Sequence, residues 1–536
     1  MRSKQLLLAS MLVLGAACGG PAPLGGSCDP AVANACVEGS VCAADETGAN
    51  VCLRPLGGEC TLDAEPSYCP PMAECTAVTE VVDGEERTVG RCYLPEGAAC
   101  DPEQDVQCDP SLACEERVDG THACHVPLVF RGRVIDATDQ GAIADAHVLA
   151  LDAQPVAVSD IAISAMDGTY ALRVPAVRDM DGRPVAANYT LRASADGYET
   201  FPGGIRTAIP ISTTLAVEME TEWLVMGTLT DVVLIPLGDL TAPRVSISGR
   251  VVAPGREAGV LVVANGADGH SAISDASGAY TIFNVPPGEY EVRGYAGGLQ
   301  VTPVTVTAAD VDLLDVDLVA NESPLSTLSG MMQIVNPGDC EATSVVLAVE
   351  STFDELLGRG ELPPGLRAPR PGMPPSITNN STWTIEGVPD GRYVVLAGFE
   401  NDDCVRDPDT SIAGTAIVHV ELPADAGTLT ETFKVTGALA VFGPGVSDPE
   451  AVTAAPTLRW EDDSGENNYL VEVFDAYGDL VWMQQVPGVS GSSMVSVAYG
   501  GPLESGMYYQ FRATSRDNSG SPLSRTEDLR GVFFVP

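Results

Sequence analysis

Cysteine is the residue type in this 536-residue chain whose number and spacing point to a definite chemistry. Twelve of the fifteen cysteines fall into three sets of four: Cys28, Cys36, Cys42 and Cys52; Cys60, Cys69, Cys75 and Cys92; Cys100, Cys108, Cys114 and Cys124. Five residues separate the middle pair of every set and seven separate one set from the next, which makes a triple internal repeat. Segments this short cannot bury enough apolar surface to hold a fold, so in an oxidising compartment they need disulfides, each contributing about 2–4 kcal/mol. Two bridges per set are expected, and spacing leaves their connectivity open. Cys340 and Cys404 most simply pair with each other, and Cys18 is left over. The run His122-Ala123-Cys124-His125 has zinc-ligand residue types, but Cys124 stands in register with Cys52 and Cys92 and is read as a disulfide cysteine.

The leftover thiol follows a short export signal. Arg2 and Lys4 precede the apolar run Leu6 to Leu14, and Gly15-Ala16-Ala17 supplies the small residues of a cleavage site. The run is too short to span a bilayer. Gly15-Ala16-Ala17-Cys18 resembles the lipobox of bacterial lipoproteins, although Leu14 sits four residues before the cysteine where that family favours three. The resemblance implies that residues 1–17 are removed, that Cys18 carries the lipid, and that residues 18–27 form a linker. Gly19-Gly20, with no Asp after the cysteine, implies sorting to the outer membrane. Ordinary cleavage after Ala17 would instead release a secreted protein. The cysteine-rich region, residues 28–126, resembles in spacing the Dickkopf-type cysteine-rich segments and other short extracellular cysteine repeats.

Other chemistry finds little support. The histidines His122, His125, His147, His270 and His419 form no zinc-peptidase motif, no Gly-x-Ser-x-Gly elbow occurs, and no Gly-rich phosphate loop is present. His419 and Glu421 share one face of a predicted strand and read as a surface pair. The chain is therefore expected to be no enzyme and to need no cofactor. Calcium is the ion its carboxylates could hold, at Asp312, Asp315 and Asp317, at Glu461-Asp462-Asp463 or at Asn401-Asp402-Asp403, though none follows a known loop template. Sugar binding would need exposed aromatic faces. Trp383 and Trp460 belong to core patterns, which leaves Trp223 and Trp482 as candidates.

Composition sets the elements that carry these residues. A net charge of −46 repels phosphate backbones and excludes nucleic acid as a partner. With 55 Gly, 40 Pro and few aromatics, many turns and small β-rich modules are expected. The fold class is mainly β: a disulfide-rich N-terminal segment followed by a string of Greek-key β-sandwiches.

Residues 128–238 open with Gly132-Arg133-Val134, continue through Ala146-His147-Val148-Leu149-Ala150-Leu151 and the hairpin Asp167-Gly168-Thr169-Tyr170, and close with Gly197-Tyr198. This order is similar to the carboxypeptidase regulatory-like domain, which implies a seven-stranded prealbumin-like sandwich and, without a catalytic domain, no activity. A second copy spans 245–320, with Gly249-Arg250-Val251 and Ser277-Gly278-Ala279-Tyr280. A divergent third spans 325–436, where Ser381-Thr382-Trp383 replaces the Asp-Gly-x-Tyr hairpin. Its Gly358 to Pro375 stretch carries Arg359, Arg367 and Arg370, a docking loop for an acidic partner or a solvated insertion. Residues 437–536, with Trp460 early and Tyr509, Phe511 and Ala513 alternating late, look like a fibronectin type III sandwich. Tyr508, Gln510 and Arg512 are then expected to face outward.

The expected molecule is a cell-surface lipoprotein, held to a membrane by its N-terminal lipid, with an extracellular protein or a polysaccharide as partner. Its sandwiches serve as a scaffold for adhesion, envelope organisation or ligand capture, the alternative being a carbohydrate-binding protein.

Overall fold

Alternating apolar residues and frequent Gly and Pro build strands, and the computed structural model contains strands with two single-turn 3₁₀ helices among the described residues. It describes residues 21–536 except 83–84, 103, 105–106, 239–242, 356, 372, 399–401 and 407–416. The signal peptide, Cys18 and Asn401 lie outside the described residues. The chain divides into two units, one reaching to Pro127 and including Val177–Arg183, the other holding Leu128–Ala176 and Pro184–Pro536.

In the first unit each cysteine set is one hairpin with a leader folded against it. The hairpins are Val41–Ala44 with Asn50–Leu53, Glu74–Val82 with Glu85–Tyr93, and Ala113–Glu116 with His122–His125. The leaders pair identically. The amides of Gly25, Gly57 and Gly97 donate to the carbonyls of Cys52, Cys92 and Cys124, and the amides of those cysteines return bonds to Gly26, Gly58 and Ala98. Further upstream the amides of Ala22, Arg54 and Leu94 donate to Ala35, Tyr68 and Gln107, each the residue before the second cysteine of its set. This corrects the expected linker over 18–27: from Ala22 onward the chain belongs to the first repeat. The signal was present in Pro23-Leu24-Gly25-Gly26-Ser27-Cys28, which matches Pro55-Leu56-Gly57-Gly58-Glu59-Cys60.

The second unit holds four sandwiches, and the first three share one plan. A long first strand, Leu128–Asp136, Val245–Val252 or Ser326–Val335, has an antiparallel neighbour on one side, Thr169–Val174, Ala279–Val285 or Thr382–Val388. On its other side lies a late parallel strand, Trp223–Met226, Leu318–Val319 or Gly427–Gly437. At one position of this pairing a glycine faces an aromatic ring: Gly132 faces Tyr170, Gly249 faces Tyr280, and Gly330 faces Trp383. The Tyr170 hydroxyl donates to the Thr230 carbonyl and the Tyr280 hydroxyl to that of Val316. A Cβ on Gly132 would lie 2.0 Å from the Thr230 oxygen, and one on Gly249 would lie 2.1 Å from the Val316 oxygen, so no larger residue fits the crossing. A second tyrosine fastens each opposite sheet: the hydroxyls of Tyr189, Tyr290 and Tyr393 donate to the carbonyls of Pro175, Pro286 and Pro389. Three residues lie between proline and tyrosine in the latter two. In the first sandwich the gap is an excursion that contains Val177–Arg183.

The fourth sandwich packs Val441–Gly443, Thr457–Glu461 and Met494–Ala498 against a sheet centred on Asn468–Asp475 and Tyr508–Arg516. Trp460 is fully buried and meets Tyr469 edge to face at 5.4 Å, while Tyr509 stacks on Phe533 at 5.5 Å. Gln510 and Arg512 depart from their expected outward, solvated position. Gln510 is fully buried, its amide donating to the carbonyls of Asp528 and Arg530, because the loop before Val532–Phe534 folds across that face. Arg512 is held by Asp528 and Thr207 and lies over the Phe474 ring.

The modules follow one another along the chain and also fold back on one another. Apolar side chains of the first and fourth sandwiches merge into one core, and Tyr295 of the second meets Tyr393 of the third at 5.7 Å.

Candidate functional site

The structure pairs every set of four cysteines the same way, first with third and second with fourth: Cys28–Cys42 and Cys36–Cys52, Cys60–Cys75 and Cys69–Cys92, Cys100–Cys114 and Cys108–Cys124. The third and fourth cysteines of a set are directly opposed across their hairpin, yet each bonds back to the N-terminal half. The two bridges thus tie leader and loop to the hairpin, closing loops of 14 to 23 residues worth about 3 kcal/mol each. Cys340 and Cys404 form a seventh bridge inside the third sandwich. Three sulfurs of each set lie close enough to grip a metal ion, but all are consumed in S–S bonds and offer no thiolate.

Beside the third repeat the segment Val177–Arg183 carries an arginine into the interior of the first unit. Arg178 is fully buried and ion-paired with Glu115, itself 6% exposed, and its other nitrogens donate to the carbonyls of Val126 and Gly182. His125, also buried, accepts a hydrogen bond on Nε2 from Arg117 Nε at 3.2 Å. Burial first, then the charges of Arg117 and Arg178, push its pKa down to about 4, so the imidazole is neutral at ordinary pH. Sequence spacing carried no sign of this cluster, since Glu115 and Arg178 are 63 residues apart.

The other candidates are spent on structure. Trp223 and Trp482 are half-buried against the core shared by the first and fourth sandwiches, Trp482 edge to face with Tyr499. His419 bonds across to Glu350 at 2.7 Å, not to Glu421, and Glu350 also holds Arg392 at 2.5 Å. Asp312 and Asp317 accept the amides of Ser246 and Arg250, while Asp402 accepts those of the Cys404 amide and Thr343 hydroxyl. Asp462 and Asp463 serve Tyr469 and Ser515. These carboxylates cap strand ends and turns. In the arginine-bearing stretch, Arg359 donates to the Arg206 carbonyl and Arg367 to Gln154, both in the first sandwich, while Arg370 remains exposed beside Glu386.

Arg359 also lines a cavity of about 340 Å³ between the first, third and fourth sandwiches. Arg192 crosses its edge, bonding Glu361 of the third sandwich at 3.1 Å and Ser271 of the second at 3.0 Å. Among the described residues no helix is long and apolar enough to cross a membrane.

No known family matches the chain, and no curated protein matches it. Among solved structures, the Bacillus anthracis TIE protein is 11% identical over 76% of this chain and 74% of its own, with a TM-score of 0.13. A streptococcal ancillary pilin is 12% identical over 58% of this chain and 98% of its own, with a TM-score of 0.16. The major pilin subunit BcpA of Bacillus cereus is 9% identical over 58% and 98%, with a TM-score of 0.13, in its D312A form.

Proposed function

We propose that the protein is a non-enzymatic component of the bacterial cell surface, anchored by lipid on Cys18, whose β-sandwiches form a scaffold for adhesion, envelope organisation or capture of an extracellular ligand. The observation that carries this reading is the pairing of fourteen of the fifteen cysteines in seven disulfides. Cytosolic reductants hold thiols reduced, so a chain built on such bridges belongs to an oxidising compartment. The thiol left over is the one that follows the export signal. In this reading the cysteine-rich unit is a stapled stem. The first three sandwiches are carboxypeptidase regulatory-like, supported by their common Gly–aromatic crossing, and the fourth is fibronectin type III-like, supported by its buried Trp460 and by the Glu504 amide bonded to the Tyr509 hydroxyl.

Cys18→Ser tests the anchor. Wild-type chain should pellet with membranes and the variant should appear in the soluble fraction; equal membrane association of both would overturn the proposal.

A further inference from the structure

The hairpin of the third cysteine repeat takes an added strand from elsewhere in the chain. The Arg178 amide donates to the Glu116 carbonyl and the Val118 amide donates to the Arg178 carbonyl, so the segment Val177–Arg183 runs parallel to the hairpin's outer edge beside Arg117. Glu116 and Val118 stand two and four residues after Cys114, the third cysteine of its set; two and four after Cys75 stand Ala77 and Thr79. The two hairpins share their register. Cys75 is opposite Cys92 as Cys114 is opposite Cys124, and both Cys92 and Cys124 turn amide and carbonyl away from the hairpin toward the leader. Their partners, and every second residue along the partner strand, therefore turn amide and carbonyl to the outer edge. On Glu74–Val82 these residues are Cys75, Ala77, Thr79 and Val81.

Glu74–Val82 is the outermost strand of its sheet, and among the described residues no backbone bond reaches the outer groups of those four. Ala77, Thr79 and Val81 are exposed, Val81 at 71%. The strand has nine residues where its counterpart in the third repeat has four. An edge with open donors and acceptors is a template for strand addition. The charge beside it is of one sign. Arg87 is paired with Glu85 and Arg91 with Glu80, whereas Glu74, which starts the strand, and Glu86, opposite Val81, are exposed and have no ion pair among the described residues.

We propose that this edge binds an extended basic segment of a partner protein by strand addition, its backbone bonded to Ala77 and Thr79 and its Arg or Lys side chains beside Glu74 and Glu86. Main-chain bonds supply the attachment and alternate side chains the selectivity. The third repeat already holds an arginine-bearing segment in the equivalent place, supplied by the chain itself. A second copy is the disfavoured occupant, because each chain carries −46. The site does not depend on lipid at Cys18.

The test is titration calorimetry of the full-length oxidised chain with three end-blocked octapeptides: one alternating valine with arginine, its N-methylated form, which keeps the charge without the amide donors, and one alternating valine with glutamate. The first should bind about tenfold or more tightly than either of the others. Thr79→Pro removes one outward amide at a place where an edge strand tolerates proline, and should weaken the basic peptide about fivefold or more. The comparison of peptides on the unaltered chain stands whatever the fold of that variant. Absence of binding by the basic peptide, equal binding of its N-methylated form, unchanged affinity in Thr79→Pro, or a dimer of the chain that Thr79→Pro dissolves would each overturn the proposal.

Discussion

Trp383 stands directly across from Gly330, the place that Tyr170 takes opposite Gly132 and Tyr280 opposite Gly249. A Cβ on Gly330 would lie 2.7 Å from the indole ring, so the ring covers the glycine.

The crossing predicts that Gly249→Ala destabilises the chain by about 1–3 kcal/mol, the range for forced overpacking. Where the backbone is in an ordinary conformation and a methyl has room, Gly→Ala is neutral or slightly stabilising through the unfolded state. Gly238→Ala, where an added methyl meets nothing within 4 Å, is the control and should leave the denaturation midpoint unchanged. Equal midpoints for the two variants would contradict the crossing.

How much of this was legible in the sequence depends on range. Alternation in Tyr170, Leu172 and Val174 marks a one-sided strand, and all three lie in the core. The repeat of Pro-Leu-Gly-Gly before Cys28 and Cys60 was on the page too, and it marks where the first repeat begins. The third sandwich was obscured because its ring is Trp383 in place of a tyrosine, which changes the local motif but preserves the pairing. What spacing could not reveal were contacts between modules: the burial of Gln510 under a loop, the half-burial of Trp482, and the choice of Glu350 over Glu421 by His419. Each is decided by which distant segment comes to cover a face.

Arg178→Ala should be among the most damaging single changes in the cysteine-rich unit. It strands Glu115 without its buried counter-charge, at a cost of about 3–5 kcal/mol. Removing both charges, as in Arg178→Met with Glu115→Leu, should be milder than Arg178→Ala alone. Chemical denaturation of the three variants measures the ordering, and a double variant at least as damaged as the single would contradict it.

His125 predicts an acid sensitivity. Its pKa is about 4 in the native chain and about 6.5 when unfolded, so between those values the unfolded chain binds more protons. The contribution is full above about pH 6.5 and declines as pH falls toward 4. His125→Gln should flatten that part of the stability profile, measured by denaturant midpoints from pH 7 to 4.5; an unaltered slope would contradict the assignment.

Glu527 predicts the opposite limb. It is 2% exposed, the Asp403 backbone amide is the hydrogen-bond donor beside it, and Arg530 Nε stands 3.9 Å away. Burial first, then the charge of Asp402, raises its pKa to about 8. The native state then holds a proton that the unfolded state releases near pH 4.3, so stability declines as pH rises from there to about 8. Glu527→Gln should gain of order 1–3 kcal/mol over wild type at pH 8 and little at pH 4.5, by the same denaturation series. A gain that does not depend on pH would contradict this.

The exported, lipid-anchored and fully bridged state is tested most directly by mass spectrometry of chain purified from membranes and alkylated before reduction. The account predicts a first residue at Cys18 bearing diacylglycerol, with no label on any of the other fourteen cysteines. An amino terminus upstream of Cys18, an unmodified Cys18, or alkylation of several repeat cysteines would contradict it.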